Sequence, residues 1–549
     1  MKVYLDGKEL DVDGDSTLLE ICEREGKEVP TKCHVEEMEP DARCRVCLVS
    51  MNGKLVTSCS TKPVENAEII SNSEKVVRAR ETNKKLMRQQ KTDSEAYNLF
   101  KEVGLGNKRF GKEEKDVEEK GRALKREMEK CVNCGRCVKV CNRVQGVNAI
   151  NFAGRGHETR VTPQRGKKLS EVACIRCGQC LLECEEGALI EENSIEEVEK
   201  FLEDEDKFVV AQTAPAVRSS LGELFGLEPG KNVEKEMVEG LKKLGFDKVF
   251  DTVFAADLTI VEEASELIQR VENGGPFPLI TSCCPGWILY MENFHPDLRE
   301  NVSSCKSPQM MLGALVKSFY AEKIGKDPED VVVVSVMPCT SKKFEVSRIE
   351  MKDDVDAVLT TREAAQLFKK NSLDICQMDG QEFDQPLGIS TGAGKIFGAT
   401  GGVMEAAVRT ANDKLGGDPI DFHLEEVRGE HGVKKGVVSI NGKEIKFGVA
   451  HGGKNIEKTV ETLEEEKFHF VEFMACPGGC VCGGGQPKSD VNLFPERAAA
   501  LYIDDENAEI RRSHENPAVQ KVYKDFLGEP LSEKSEEILH TFYFEREGF

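Results

Sequence analysis

Residues 131–141 read CVNCGRCVKVC, and residues 174–184 repeat the pattern as CIRCGQCLLEC. Each run spaces its thiols CxxCxxCxxxC, a spacing in which three thiolates wrap one 4Fe-4S cube and the fourth crosses to the cube of the other run. The repeat therefore assigns Cys131, Cys134, Cys137 and Cys184 to one cluster, and Cys174, Cys177, Cys180 and Cys141 to the other. A proline commonly follows the fourth cysteine. Here Asn142 and Glu185 stand in its place, which alters the local turn more than the ligation. These residues predict a bacterial-type two-cluster ferredoxin domain over 126–195.

On the N-terminal side lies a second cysteine group, Cys33, Cys44, Cys47 and Cys59. Four thiolates suit a 2Fe-2S cluster, and a central CxxC also suits tetrahedral zinc. The start of the chain, MKVYLDGKELDVDGDSTLLEIC, reads as two short alternating runs around Asp6-Gly7 followed by a helix. A β-grasp 2Fe-2S domain is expected over 1–78. Residues 72–130 hold no cysteine or histidine, and their charged stretch EEKDVEEKGRALKREMEK predicts a helical connector over 79–125.

After Glu191 the composition shifts to short apolar runs between amphipathic helices: KFVVAQTAPAVR, FPLITSCC, VVVVSVMPC, DAVLTT and FHFVEFMAC. This is an α/β pattern, with a hairpin through Asn441-Gly442. Several runs end directly in cysteine, at the position where α/β sheets present ligands. The strand ends are expected to converge in a large two-lobed α/β domain over 196–549, so the whole is multidomain, α+β and α/β.

The chain has 549 residues, 98 acidic against 75 basic, and a formal charge of -23. That balance excludes partners held by counterion release, namely nucleic acid and anionic membrane. The N-terminus does not read as a secretion signal, and no apolar run approaches a membrane span. A soluble cytoplasmic protein is expected, in which 21 cysteines serve metal binding rather than disulfides.

Three motifs then stand in order: TSCCPGW from Thr281, MPCTSKKFE from Met337 and FMACPGGCVCGGGQP from Phe473. Behind a two-cluster ferredoxin they resemble the three signatures of FeFe-hydrogenases, and the resemblance runs from the N-terminal domain to IRRSHENPAV near the C-terminus, in a small-subunit-like region. The ten residues between Cys33 and Cys44 likewise resemble the 2Fe-2S domains of hydrogenases and of the large iron-sulfur subunit of respiratory complex I. The resemblance implies reversible interconversion of H2 with protons and electrons at an H-cluster, a 4Fe-4S cube joined to a two-iron unit with CO, CN and a bridging dithiolate amine. It implies Cys284, Cys339, Cys476 and Cys480 as cube ligands, Cys480 also bridging to the two-iron unit. Lys342 would hold a cyanide, and Ala214, Pro215, Met337 and Met474 would line the cofactor. Glycines at 478, 479 and 483–485 are expected to let backbone approach it.

The spare thiol of the doublet, Cys283, is expected to move protons, since an ordinary thiol titrates near pH 8.5. In DLTIVEEASELIQRVEN, Glu263, Glu266 and Arg270 fall on one helical face, which by pattern alone reads as solvated. The resemblance instead implies a proton path: Glu263 the inner carboxylate, Ser303 the hydroxyl after it, Glu266 the outer carboxylate and Arg270 at the surface, with water joining Glu263 to Cys283. Glu345 is a weaker candidate for another route. Cys22, Cys305 and Cys376 are expected to be small buried residues, and Cys482 has no assigned role.

Longer members of the family carry a further His-ligated 4Fe-4S cluster where this chain has its connector. That departure leaves open whether the 2Fe-2S domain reaches the next cluster or docks on a partner. Electrons would be exchanged with ferredoxin or NAD-linked flavoprotein subunits, and separate maturation proteins would build the two-iron unit. A hydrogen sensor and a hydrogenase-like iron-sulfur assembly protein are the rival readings; a complex I subunit accounts only for the N-terminal region.

Overall fold

The computed structural model describes residues 1–35, 38–88, 123–155, 159–164, 167–417, 428–429, 431–440 and 443–546. Most of the expected connector, 89–122, and the Asn441-Gly442 turn lie outside them.

Asp6 and Gly7, both at positive φ (49° and 85°), turn β1 (Lys2–Leu5) back onto β2 (Lys8–Asp11), so that Val3 and Leu5 face inward. Helix α1 (Leu18–Arg24) starts at a capping box between Thr17 and Glu20 and lays Leu18, Leu19, Ile21 and Cys22 against the sheet. With β3 (Leu48–Met51), β4 (Lys54–Thr57) and β5 (Ala67–Ile70) the order is β2-β1-β5-β3-β4, the β1–β5 pair being parallel. Helix α2 (Glu74–Arg88) begins before the expected boundary at 78. It belongs to this unit, because Val76 is buried and Arg80 donates Nε to the Leu48 carbonyl at 2.7 Å.

The doubled cysteine run folds as two copies of one turn. The first copy holds β6 (Leu124–Arg126), α3 (Arg136–Lys139) and β7 (Ile150–Ala153); the second holds β8 (Arg160–Pro163), α4 (Gln179–Leu182) and β9 (Leu189–Glu191). Strand β6 pairs with β9 and β7 with β8, so the halves interlock, and the segment begins inside the expected connector. Equivalent residues share the same unusual backbone: Asn133 and Arg176 at positive φ, then Gly135 and Gly178 at the start of each helix. The N-terminal unit docks directly on this segment. Lys32 pairs with Glu185 and Glu186 (2.6 and 2.7 Å), Arg143 with Asp41 (2.8 Å), and Arg43 lies 3.4 Å over the Phe152 ring.

From Phe208 strand and helix alternate: β10 (Phe208–Thr213), β11 (Lys248–Asp251), α5 (Thr252–Asn273), β12 (Leu279–Ile280), α6 (Pro285–Phe294), β13 (Val331–Met337), α7 (Ser341–Glu345), β14 (Ala357–Thr360), α8 (Gly402–Lys414), β15 (Val433–Ile440), β16 (Lys443–His451) and β17 (Phe470–Met474). Two sheets result. Order β11-β10-β13-β14 is parallel throughout; in β12-β17-β16-β15 only the β15–β16 hairpin is antiparallel. Every residue of β13 is buried, as a central strand covered on both faces requires. Helix α5 lies between the lobes. Phe254, Leu258 and Val261 join the core of the first sheet, while Ala256, Ile260, Ala264 and Leu267 join that of the second. No described helix is long and apolar enough to cross a membrane.

The C-terminal segment is tied to α5 by a buried carboxylate. Asp257 accepts hydrogen bonds from Thr391 N–H (3.1 Å) and Oγ1 (2.6 Å), Ser513 Oγ (2.8 Å) and Asn516 Nδ2 (2.9 Å). This assigns Ser513 and Asn516 of the IRRSHENPAV stretch a structural task. Asp257→Ala strands these buried donors and is expected to cost about 2–4 kcal/mol. A lowered thermal midpoint of the anaerobic protein, with earlier proteolytic release of the segment after 507, checks it.

Candidate active site

Four strands of the two sheets end at one cavity. Strand β10 delivers Ala214 and Pro215, β12 delivers Cys283 and Cys284, β13 delivers Met337 and Cys339, and β17 delivers Met474, Cys476 and Cys480. All line a cavity with about 780 Å³ of free space, partly open to solvent. Burial pushes the thiols of Cys284, Cys339, Cys476 and Cys480 up, Cys339 to about 11, so metal binding must displace their protons. The donor set is soft and apolar-walled, which suits iron-sulfur chemistry. Lys342, also lining the cavity, donates Nζ to the Cys283 carbonyl (3.2 Å) and to Glu345 (2.8 Å). Burial opposes its charge, but the Glu345 carboxylate more than restores it. Glu345 in turn accepts from Ser307 Oγ (3.0 Å) and Gln309 Nε2 (3.1 Å). The residue suspected of a second proton route is thus bound to Lys342 and holds it in place.

Along α5 the four acid-path residues are only partly joined. Arg270 donates to Glu266 Oε1 (2.7 Å), and Ser303 Oγ donates to Glu266 Oε2 (2.8 Å). Ser303 and Glu263 share no hydrogen bond, nor do Glu263 and Cys283. Glu263 is fully buried. Its Oε1 accepts long contacts of 3.4 Å from Ser282 N–H and Oγ, and its Oε2 has no partner. Burial, then the Glu266 charge, pushes it up to about 8, so it rests as the neutral acid at pH 7 with an O–H to donate. Burial, and next Glu263, also raises the Cys283 thiol well above its ordinary range. Cys283 therefore rests protonated rather than poised near neutrality as an ordinary thiol would be.

The remaining cysteines lie in three further groups. Cys184 shares a cavity with Cys131, Cys134 and Cys137, while Cys141 faces Cys174, Cys177 and Cys180. In the N-terminal unit the thiols form two close pairs, Cys33 with Cys44 and Cys47 with Cys59, the latter 3.3 Å apart. Pairs fit a two-iron group with two thiolates on each iron better than one tetrahedral ion.

The iron only hydrogenase large subunit, C-terminal domain, family matches residues 207–484, and the iron hydrogenase small subunit family matches 492–546. The chain belongs to the iron-only hydrogenases. A 2Fe-2S iron-sulfur cluster binding domain matches 1–74, and the ferredoxin-like domain of NADH-quinone oxidoreductase subunit 3 matches 121–173. NADP-reducing hydrogenase subunit HndD of Solidesulfovibrio fructosivorans is 41% identical, over 100% of this chain and 99% of its own length. Iron hydrogenase 1 of Clostridium pasteurianum is 37% identical, over 98% and 99%. A solved variant of apo [FeFe]-hydrogenase HydA1 from Chlamydomonas reinhardtii superposes with a TM-score of 0.59 at 41% identity, over 65% of this chain and all of its own.

In this hydrogenase several contributors escaped the sequence. Ser282 is the one hydrogen-bond partner of Glu263, and His451 accepts the Gly478 N–H (2.9 Å) in the turn that carries Cys476 and Cys480. Gln309 lines the cavity and braces Glu345. Cys22 and Cys305 are buried as expected; Cys376 is exposed, because its short turn buries Ile375 and faces the next residue outward. The glycines of the third motif answer to protein backbone as much as to a cofactor: a Cβ on Gly479 would lie 2.8 Å from the Thr400 nitrogen, and one on Gly484 2.2 Å from the Cys177 carbonyl oxygen.

The Gly484 contact joins the ferredoxin segment to the catalytic lobes. Around it, Thr340 Oγ1 donates to the Arg176 carbonyl (2.7 Å), Ser341 Oγ to that of Ile175 (2.8 Å) and Gln179 Nε2 to that of Cys482 (3.0 Å). Gly484→Ala is expected to part the two surfaces. Limited proteolysis of the anaerobic protein checks this, with new cleavage between the ferredoxin segment and β10 that the parent chain resists.

Proposed function

We propose that the cavity would hold the H-cluster through Cys284, Cys339, Cys476 and Cys480. The observation that carries this is the convergence of three separate motifs on one apolar cavity, in which Lys342 is the one cation among the lining residues. The chain is a hydrogenase and interconverts H2 with protons and electrons. When bound, the H-cluster supplies the iron at which hydrogen is made or split and the path by which its electrons leave.

The protein's own residues hold the group and move the proton. Lys342, itself buried and fixed between Glu345 and the Cys283 carbonyl, would offer its ammonium to an anionic cyanide. Ala214, Pro215, Met337 and Met474 close the walls. Cys283 carries a proton on Sγ, and a bridging water spans the gap to the unpartnered Glu263 Oε2. From Glu263 a second water reaches Ser303, whose hydroxyl is already bonded to Glu266, and Arg270 ends the path at the surface.

For electrons, Cys131, Cys134, Cys137 and Cys184 hold the distal cube, Cys174, Cys177, Cys180 and Cys141 the proximal one, and Cys33, Cys44, Cys47 and Cys59 the 2Fe-2S cluster of a β-grasp unit. The similarity to an NADP-reducing hydrogenase subunit supports an assembly with NAD(P)-linked flavoprotein partners. Ferredoxin and the maturation proteins are the other partners in this reading.

The adjacent cysteines should fail differently. Cys283→Ala keeps the carbonyl and cyanide infrared bands of the matured protein but loses about 10²-fold or more of hydrogen turnover, the scale of one proton-transfer group, and Glu263→Gln does likewise. Cys284→Ala loses the bands themselves. Parent-level turnover in Cys283→Ala overturns the relay.

A further inference from the structure

Two lysines at the junction of the N-terminal unit and the ferredoxin segment are crossed. Lys32 stands next to Cys33, yet its side chain lines the cavity of Cys131, Cys134, Cys137 and Cys184. There it pairs with Glu185 and Glu186, which immediately follow Cys184. Lys139 stands between Cys137 and Cys141 in α3, yet it faces the N-terminal unit. Its side chain is 1% exposed, and among the described residues its ammonium has no hydrogen-bond partner and its nearest paired carboxylate, Asp41, is 3.8 Å away. Asp41 is itself engaged by Arg143 at 2.8 Å.

A desolvated ammonium without an acceptor is costly, and its neighbourhood must supply negative charge. Asp41 lies in the loop between Cys33 and Cys44, so Lys139 is buried against the segment that bears two of the four thiols of the N-terminal unit. A 2Fe-2S group on four thiolates is anionic, becomes more so on reduction, and its sulfurs accept N–H bonds. A fixed cation beside it favours the reduced state and raises the reduction potential. The same holds for Lys32 beside the cube.

We propose that Lys139 and Lys32 are reciprocal potential-setting residues: each unit lends a cation to the cluster held by the other, so that both clusters reach their working potentials only when the units are docked. This rests on the ligand assignment above. It answers how a chain with a cysteine-free connector admits electrons: the 2Fe-2S unit meets the distal cube directly.

Potentiometric titration of the anaerobic full-length holoenzyme, followed by the electron paramagnetic resonance of each reduced cluster, tests it. Lys139→Met should shift the 2Fe-2S midpoint downward and leave the cubes unmoved; Lys32→Met should shift the distal cube downward and leave the 2Fe-2S midpoint unmoved. Lys139→Arg should restore the parent value. Should Lys139→Met fail to hold its cluster, Asp41→Asn, which removes the opposing carboxylate, should shift the 2Fe-2S midpoint upward. Unmoved midpoints with intact signals, or a shift of the 2Fe-2S signal by Lys32→Met, overturn the crossed arrangement. Absence of any 2Fe-2S signal from the parent protein overturns the ligand assignment instead.

Discussion

The burial of helix α5 between two sheets is the constraint on which the site depends. Asp257, Glu262 and Glu263 all lie on it with no exposed surface, and each must be compensated within the protein. Asp257 has its four donors. Glu262 accepts from Tyr523 Oη (2.5 Å), the Leu531 N–H (2.9 Å), Ser535 and His540, and these bonds hold it below the usual carboxylate range despite its burial. Glu263 has only the two long Ser282 contacts, so burial prevails and it rests as the acid. Donor number alone does not sort the three, since burial still pushes Asp257 up to about 7 against its four donors; Glu263 differs from both in keeping a carboxylate oxygen with no partner among the described residues.

The same helix shows what the sequence makes legible. The cysteine spacings, the strand ends and the hairpin are local patterns, and the structure shows the strand ends at one cavity, Cys184 beside Cys131, Cys134 and Cys137, and β15 paired with β16. The solvated face read into Glu263, Glu266 and Arg270 fails because periodicity registers one covered stripe, whereas α5 is covered on both sides through Ala264. Strand β11 is illegible for a related reason: KVFD offers two apolar residues, and its burial comes from segments far along the chain. Ser282, Gln309 and His451 carry no signal in one dimension, since each matters through a partner distant in sequence.

Close backbone approach governs the electron side as buried charge governs the proton side. Gly178 and Gly484 meet with no room for a side chain, and Cys476 Sγ lies 3.9 Å from the Cys177 carbonyl, which puts a cysteine of the third motif against one of the second ferredoxin run. At the other end the junction is charged rather than tight, made by Lys32, Lys139, Arg143 and the acidic residues they face.

The most direct test of the central claim is the infrared spectrum of the matured protein, taken with a hydrogen assay on the same sample. Carbonyl and cyanide bands together with hydrogen turnover are the predicted result. Absence of those bands after competent maturation contradicts an H-cluster in this cavity, and bands without turnover contradict a catalytic role for it.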